Sequence, residues 1–319
     1  MIQHRSVAVV GTGSVGIAAA FALFTRRIAS EILLVDKDLA KAEGHAMDLM
    51  HGQALVGRVS VRAATFAELG RAQVVVIAAG RSQKRGETRL DLLQKNAEVV
   101  EEIMRALDER APNAVVLVAT NPVDLLTRRA SRASKRPRAR VIGTGTTLDS
   151  ARFRALIASE LHVSPQSVHA YVLGEHGDSQ VPIWSGAMVG GVSVAFDTAT
   201  RTRIADATRT AAREIIARKG YTDLAIGTVI AHLVNAILVD ERSVQPLSVP
   251  LEGEYGLDDV TLSIPCVIGH EGVVRRLAPE LAREEIDALH ASASLLKEKE
   301  RELGSARERG EPAMHTVDA

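Results

Sequence analysis

Three side chains have the types and the spacing to share one piece of chemistry. His176 in "YVLGEHGDSQVPIW" lies between Gly174 and Gly177, on a tight loop that follows a predicted strand. An imidazole titrates near neutrality, so it can take up and return a proton at working pH. In "GTTLDSARFRALI", Asp149 and Arg152 stand three apart at the start of a predicted helix and share one of its faces. A carboxylate there could hold the imidazole in one tautomer and stabilise its charged form. A guanidinium could bind the acid end of a small substrate through two parallel hydrogen bonds, which lysine does not reproduce. Such a set suits the oxidation of a hydroxy acid, in which the hydroxyl proton needs a base and the carboxylate needs a cation. Spacing alone leaves a second reading open, a surface ion pair worth a few tenths of a kcal/mol.

A redox partner for that chemistry is written at the other end of the chain. "VAVVGTGSVGIAAAFAL" sets Gly11, Gly13 and Gly16 between an apolar strand and an alanine-rich helix. Gly11 permits the tight turn, Gly13 lets backbone approach a pyrophosphate, and Gly16 allows helix to pack closely on strand, with the helix N-terminus facing the anion. Asp36 closes "EILLVD" twenty residues after Gly16, where a carboxylate can bind the adenosine ribose hydroxyls and repel a 2′-phosphate. The cofactor expected is NAD rather than NADP, with Lys37 leaving some room for the latter. At this point a nucleotide-binding regulatory module without catalysis remains an alternative.

These residues need a scaffold, and the chain of 319 residues, 46% apolar, is long enough to bury a sizeable core. Apolar, β-branched runs at 7–10, 31–36, 59–63, 74–80, 114–120 and 140–144 alternate with helix-period stretches such as 16–27, 38–50 and 91–110. Runs that are apolar throughout suit strands covered on both faces, so residues 1–145 are expected to form a Rossmann-type doubly wound parallel sheet of the α/β class. Residues 146–303 are expected to form an α+β substrate domain. It would hold helices at 147–161, 198–219 and 223–240, strands near 168–173 and 187–195, antiparallel strands through "VQPLSV", "VTLSIPCVIG" and "GVVRRL", and a final helix at about 279–303. The helix at 223–240 is expected to pack back at the domain interface. Residues 304–319 lack apolar periodicity and are expected to be a disordered tail. "SRASKRPRAR" (131–140) is expected to be a solvated loop.

Composition narrows the function classes. Lys plus Arg and Asp plus Glu balance at 39 each and aromatics are 3%, which argues against a nucleic-acid or anionic-membrane partner. A lone cysteine, Cys266, excludes an internal disulfide, is expected to be a core thiol, and suits a reducing compartment. The N-terminus runs straight into a strand and no apolar run approaches ~18 residues, so the expected location is cytoplasmic. His45 and His51 flank "AMDLM" without a third ligand, and no metal site is expected.

The stretches "VVGTGSVG", "LVDKD", "GHAMDLMHG", "GETRLDLLQKN", "VATNPVD", "GTTLDSARFR", "LGEHGDS" and "GYTDLAIG" together resemble the L-lactate/malate dehydrogenase family, in order over about residues 5–303. The resemblance implies reversible hydride transfer between L-lactate and NAD+, giving pyruvate and NADH. It implies that His176 gives and takes the proton, with Asp149 its partner, Arg152 the carboxylate anchor and Arg89 the residue that polarises the carbonyl. Asn121 would orient substrate and nicotinamide, Thr222 would border the substrate and Ile226 the nicotinamide ring. Cofactor contacts are implied also for Ser14, Val15, Lys41, Ala79, Gly80 and Thr120. The cationic stretch "GRSQKRGETRLDLL" (80–93) would be a mobile lid that brings Arg89 to the carbonyl. Gln83 stands where malate dehydrogenases of this family have arginine, and a neutral side chain leaves a second substrate carboxylate desolvated and unpaired. Arg85 points the same way in an extended segment, so malate, or a bulkier 2-hydroxy acid, stays open as the alternative substrate. Arg154 and His169 match positions that bind fructose 1,6-bisphosphate between subunits in allosteric bacterial members, which implies that effector and a homotetramer.

Overall fold

Two central strands of the first half, "VVVI" (Val74–Ile77) and "VVLV" (Val115–Val118), are apolar at every position and buried along their length. Strands of that kind need cover on both faces, and the helices between them supply it. The computed structural model describes residues 4–81 and 89–308, with the side chains of 89 and 305–308 left undescribed. The first half runs β1 (Ser6–Val10), α1 (Ser14–Thr25), β2 (Glu31–Val35), α2 (Leu39–His51), a short α3 (Gln53–Val56), β3 (Ser60–Ala63), β4 (Val74–Ile77), α4 (Arg89–Arg110), β5 (Val115–Val118), α5 (Val123–Ala133) and β6 (Val141–Gly143). The second runs α6 (Thr147–Leu161), β7 (Val168–Leu173), β8 (Val181–Val189), β9 (Val192–Ser193), α7 (Thr198–Lys219), α8 (Leu224–Leu238), β10 (Val244–Glu252), β11 (Asp258–Gly269), β12 (Gly272–Arg276) and α9 (Arg283–Glu308).

Strands pair in parallel in the order β3-β2-β1-β4-β5-β6. The winding reverses between β1 and β4, which opens a crevice at the carboxyl ends of those strands, where a ligand of such a sheet binds. The expected antiparallel strands of the second half are present, but they do not form a sheet of their own. β10, β11 and β12 extend the parallel sheet beyond β6, joined through Ser248 opposite Gly143. The edge of β6 is thereby paired rather than exposed. The remaining strands, β7, β8 and β9, make a separate three-stranded antiparallel sheet, whose β8 begins six residues earlier than the 187–195 pattern suggested.

A principal core runs through the nine-stranded sheet, α8 and α9. A smaller core gathers Phe153, Ile157, Val172 and Ala187 beneath Trp184. α8 packs on α1 with Gly227 against Ala18, where an added Cβ would lie 2.7 Å from the Ala18 carbonyl carbon.

Two other expectations need correction. Helix α9 continues through residue 308, so 304–308 are helical rather than disordered; Leu303, buried in the principal core, anchors that end. Residues 309–319 lie outside the described chain. In "SRASKRPRAR", residues 131–133 complete α5, and Arg136 is buried instead of solvated. Its guanidinium donates to Asp108 at 3.0 Å and to the Ala114 carbonyl at 2.9 Å, which satisfies the charge inside. Among the described residues no helix is long and apolar enough to cross a membrane and no acid, cysteine or histidine group could hold a metal.

Candidate active site

His176 reaches its position because Gly174, at φ +83, turns the chain back after β7 while remaining bridged to β11 through two hydrogen bonds with Ser263. Asp149 reaches its position because α6 starts beside the same strand: the Thr146 N–H donates to Ser263 Oγ at 3.0 Å and the Thr146 hydroxyl to the Val172 carbonyl. The two side chains meet at His176 Nδ1 and Asp149 Oδ2, 2.5 Å apart. Arg152, one turn on, donates to the other oxygen of Asp149 at 3.0 Å. Asp149 is buried, whereas the imidazole is 24% exposed, and among the described residues its Nε2 has no hydrogen-bond partner. One nitrogen is therefore held and the other is available.

Burial alone would depress the imidazole, but the charge and hydrogen bond of Asp149, followed by the charge of Asp124, hold His176 above the ordinary histidine value. Burial likewise pushes the Asp149 carboxyl up, and the opposing charges and hydrogen bonds of His176 and Arg152 bring it below the usual value. Asp149 is thus kept ionised, and the imidazolium is the form that it favours. The arrangement can move a proton at Nε2 while a neighbouring guanidinium holds an anion.

At the carboxyl ends of β1 and β4 the glycines do what their spacing requires. Gly11 has φ +96, and a Cβ there would strike the Ala79 backbone at 2.5 Å, so the turn brings the ends of β1 and β4 together. A Cβ on Gly16 would meet the Gly11 carbonyl oxygen at 1.9 Å, whereas one on Gly13 would meet nothing within 4 Å. The open space is at the residue that must let a pyrophosphate approach, and Gly13 and Ser14 are exposed at the start of α1. Asp36 accepts from the Thr12 N–H and hydroxyl, both at 2.7 Å, and from the Asp38 N–H at 3.1 Å. Burial raises its carboxyl, but these hydrogen bonds, with help from the Lys41 charge, bring it below the ordinary value. An open cleft of about 450 Å³ is lined by Thr12, Gly13, Ser14 and Lys41, faced by Tyr221 and Leu224, and does not extend to His176, Asp149 or Arg152.

The other expected site residues are placed as follows. Thr120 donates from its hydroxyl to the Ala79 carbonyl at 2.7 Å and packs close to Gly80, tying the chain after β5 to the chain after β4. Asn121 is exposed at the Asn121–Pro122 bond, a cis peptide, and its Oδ1 accepts from the Val123 N–H at 3.3 Å. Val15 and Ile226 are half-buried against the principal core, and Thr222 is half-buried in the turn into α8. Gln83 and Arg85 lie outside the described residues, and Arg89 begins α4 with its side chain undescribed. Arg154 is half-buried on α6 and donates to the Ser150 carbonyl at 3.3 Å, while His169 is exposed on β7. Cys266 is buried, and burial pushes its thiol up to about 12.

Four residues that the motifs contain but residue type alone does not single out also shape the site. Thr12 sets Asp36. Asn96, buried on α4, accepts from the Arg81 N–H at 2.8 Å and so fixes the chain at Arg81. Asp124 accepts from the His176 N–H at 2.7 Å, and Ser248 donates to Asp124 at 2.6 Å. The signal available for Asp124 is an acid set among Val123, Leu125 and Leu126 at the start of α5.

Comparison with known proteins gives a consistent result. The sequence model of the lactate/malate dehydrogenase NAD binding domain matches residues 5–143, and that of the alpha/beta C-terminal domain of the same family matches residues 146–306. An L-lactate dehydrogenase of Salinibacter ruber is 53% identical over 312 residues, covering 95% of this chain and 99% of its own. One from Thermus aquaticus is 46% identical over 307 residues, covering 93% and 99%. A crystal structure of a minor L-lactate dehydrogenase from Enterococcus mundtii in a ligands-bound form superposes with a TM-score of 0.91 at 40% identity, over 93% of this chain and 98% of that one.

Proposed function

The chain belongs to the lactate/malate dehydrogenase family, and from that premise we propose that it interconverts L-lactate and pyruvate with NAD as cofactor. What carries this reading is the pairing of His176 with Asp149 at 2.5 Å beside a guanidinium that shares the same carboxylate. NAD, when bound, supplies the acceptor and donor of hydride. His176 takes the hydroxyl proton of L-lactate at Nε2 while Nδ1 stays on Asp149, and returns it to the carbonyl oxygen of pyruvate in the other direction. Asp149 stabilises the charge that the ring gains. Arg152 grips the substrate carboxylate through paired N–H groups, Asn121 and Thr222 border the substrate, and Arg89 polarises its carbonyl. Gly11, Gly13, Ser14, Val15 and Gly16 would cradle the pyrophosphate, Asp36 and Lys41 the adenosine end, and Ala79, Gly80, Thr120 and Ile226 the rest of the crevice.

Gln83 is the proposed substrate selector, because a neutral amide gives the second carboxylate of oxaloacetate no counter-charge. Arg85 keeps malate as the second reading. NADH oxidation with pyruvate, oxaloacetate and 2-ketoisocaproate side by side tests both. Pyruvate is expected to give the highest kcat/KM, and a preference for oxaloacetate would overturn the Gln83 reading. Gln83→Arg is expected to raise oxaloacetate turnover.

Two finer readings go with this one. Fructose 1,6-bisphosphate is the proposed effector, supported by Arg154, which among the described residues has no carboxylate partner, and by the exposed His169 on the neighbouring strand. Kinetics unchanged at millimolar bisphosphate would remove it. A homotetramer is the proposed assembly, supported by Phe21, Met47, Leu55 and Leu224, large apolar side chains that are 54%, 62%, 93% and 67% exposed on α1, α2, α3 and α8. Sedimentation velocity reads the state directly. A lone buried thiol suits the cytoplasm as the compartment.

A further inference from the structure

The geometry points to Asp124 as a positioning residue for proton transfer: its carboxylate both fixes the backbone of the His176 loop and supplies a second negative charge to the imidazolium. Asp124 lies in the first turn of α5, two residues after Pro122, and is 2% exposed. Oδ2 accepts from the His176 N–H at 2.7 Å and Oδ1 from the Ser248 hydroxyl at 2.6 Å. One side chain thus connects α5, the catalytic loop and β10. This rests on the reading of His176 as the proton donor and acceptor.

An acid in that position is expensive. Both described donors are neutral, and among the described residues no lysine or arginine lies within ion-pairing distance of it. If the role were only to bond an N–H and a hydroxyl, asparagine would serve, since its oxygen accepts from the N–H and its amide donates to a hydroxyl turned round. The charge must therefore have a use, and the nearby group that gains by it is the ring of His176.

Counting charges shows why one carboxylate falls short. His176 faces Asp149 and Arg152 from α6 and Asp124 from α5. Asp149 is shared between the ring and Arg152, so among the described residues, before a substrate carboxylate reaches Arg152, a protonated His176 and Arg152 together carry two positive charges against the one negative charge of Asp149. Asp124 balances the second. Glu175, on the catalytic loop itself, is already engaged by Lys299 of α9 at 2.6 Å and by Ser179. Burial pushes the Asp124 carboxyl up to about 6, the Ser248 and His176 hydrogen bonds restrain it, and its charge is one cause of the raised value of His176.

The test is Asp124→Asn, which preserves size and hydrogen bonds and removes the charge. The His176 ring resonance is followed against pH by NMR, assigned with His176→Asn, and kcat/KM for pyruvate is followed in parallel. The variant's ring is expected to titrate lower, by on the order of one unit. The alkaline limb of kcat/KM should move with it, a loss of about tenfold on that limb, while NADH affinity stays unchanged. A ring titration that superimposes on the parent's would overturn the proposal. Should the variant not fold, the parent decides: a second inflection of the His176 resonance near pH 6, from Asp124, is expected, and a single step would sink the idea. Absence of pyruvate turnover in the parent would count against the dehydrogenase reading, while the ring titration would still judge Asp124.

Discussion

At the scale of single residues, the site is a set of charges whose burial is tolerable only because each has a partner. Asp149 is the clearest case: it is buried, and both of its oxygens are committed, one to His176 at 2.5 Å and one to Arg152 at 3.0 Å. Asp149→Asn removes the charge that favours imidazolium, so the His176 ring should titrate lower and kcat should fall by roughly 10²- to 10⁴-fold in both directions, with the fold intact by circular dichroism. Asp124 makes the opposite prediction for stability. Its folded value is raised from 3.8 to about 6 by burial, so its favourable contribution is complete only below the unfolded value and is lost as pH rises through about 6. Above that pH the parent carries a penalty of roughly 3 kcal/mol. Asp124→Asn should therefore resist urea better than the parent at pH 8, with the gap closing toward pH 4; equal midpoints at both pH values would contradict the account. An enzyme that is less stable than its own catalytically weakened variant has spent stability on chemistry.

At the scale of elements, what could be foreseen was local and what could not was not. Gly11, Gly13, Gly16 and Asp36 belong to one strand–helix–strand unit, and Asp149 and Arg152 to one helical turn, so their spacing in the sequence is already their spacing in space. The contact of Asp124 with the His176 N–H joins residues 52 positions apart, and its contact with Ser248 joins residues 124 apart. No period of 2 or 3.6 reports such meetings. The sheet behaves the same way: β10, β11 and β12 are legible as antiparallel strands joined by short glycine-containing connections, but their attachment to β6 depends on Ser248 lying opposite Gly143. The burial of Arg136 has a related cause, since only the fold brings Asp108 and the Ala114 carbonyl to it. The crossing of α1 and α8 offers a test at this scale. Gly227→Ala would place a methyl group 2.7 Å from the Ala18 backbone, which forces α8 outward at a cost of about 1–3 kcal/mol. Thr222 and Ile226 would move with the helix, so weaker NADH binding should accompany the lower melting temperature. Since the added methyl also meets the Ala18 Cβ at 2.8 Å, Ala18→Gly in the same chain should recover part of both losses, and strict additivity would mean that the two helices do not meet there.

At the scale of the whole molecule, the crevice and the proton-transfer cluster are held in register by pieces that belong to neither. The sheet continues from the parallel strands into β10–β12, and α9 lies across both halves. One turn of α9 shows the division of labour. Lys299 points to the catalytic loop and holds Glu175 at 2.6 Å. Its neighbour Glu300, whose side chain is only 12% exposed, meets Arg132 at 3.1 Å, Arg129 at 3.3 Å and Arg128 at 3.7 Å on α5. Glu300→Gln would leave three clustered guanidiniums short of a carboxylate, and about 2 kcal/mol of stability should be lost. Because Arg128 and Arg132 keep Asp259, the helix should stay docked and kcat should remain within about twofold. Lys299→Met acts on the other side: it leaves Glu175 buried beside His176 with Ser179 alone among the described residues to bond it, so its effect should appear in the pH profile of kcat/KM. The two variants measured together separate the roles, stability for residue 300 and titration for residue 299. If Glu300→Gln shifted the pH profile as much as Lys299→Met, then α9 would be transmitting position to the catalytic loop rather than clamping the two halves independently.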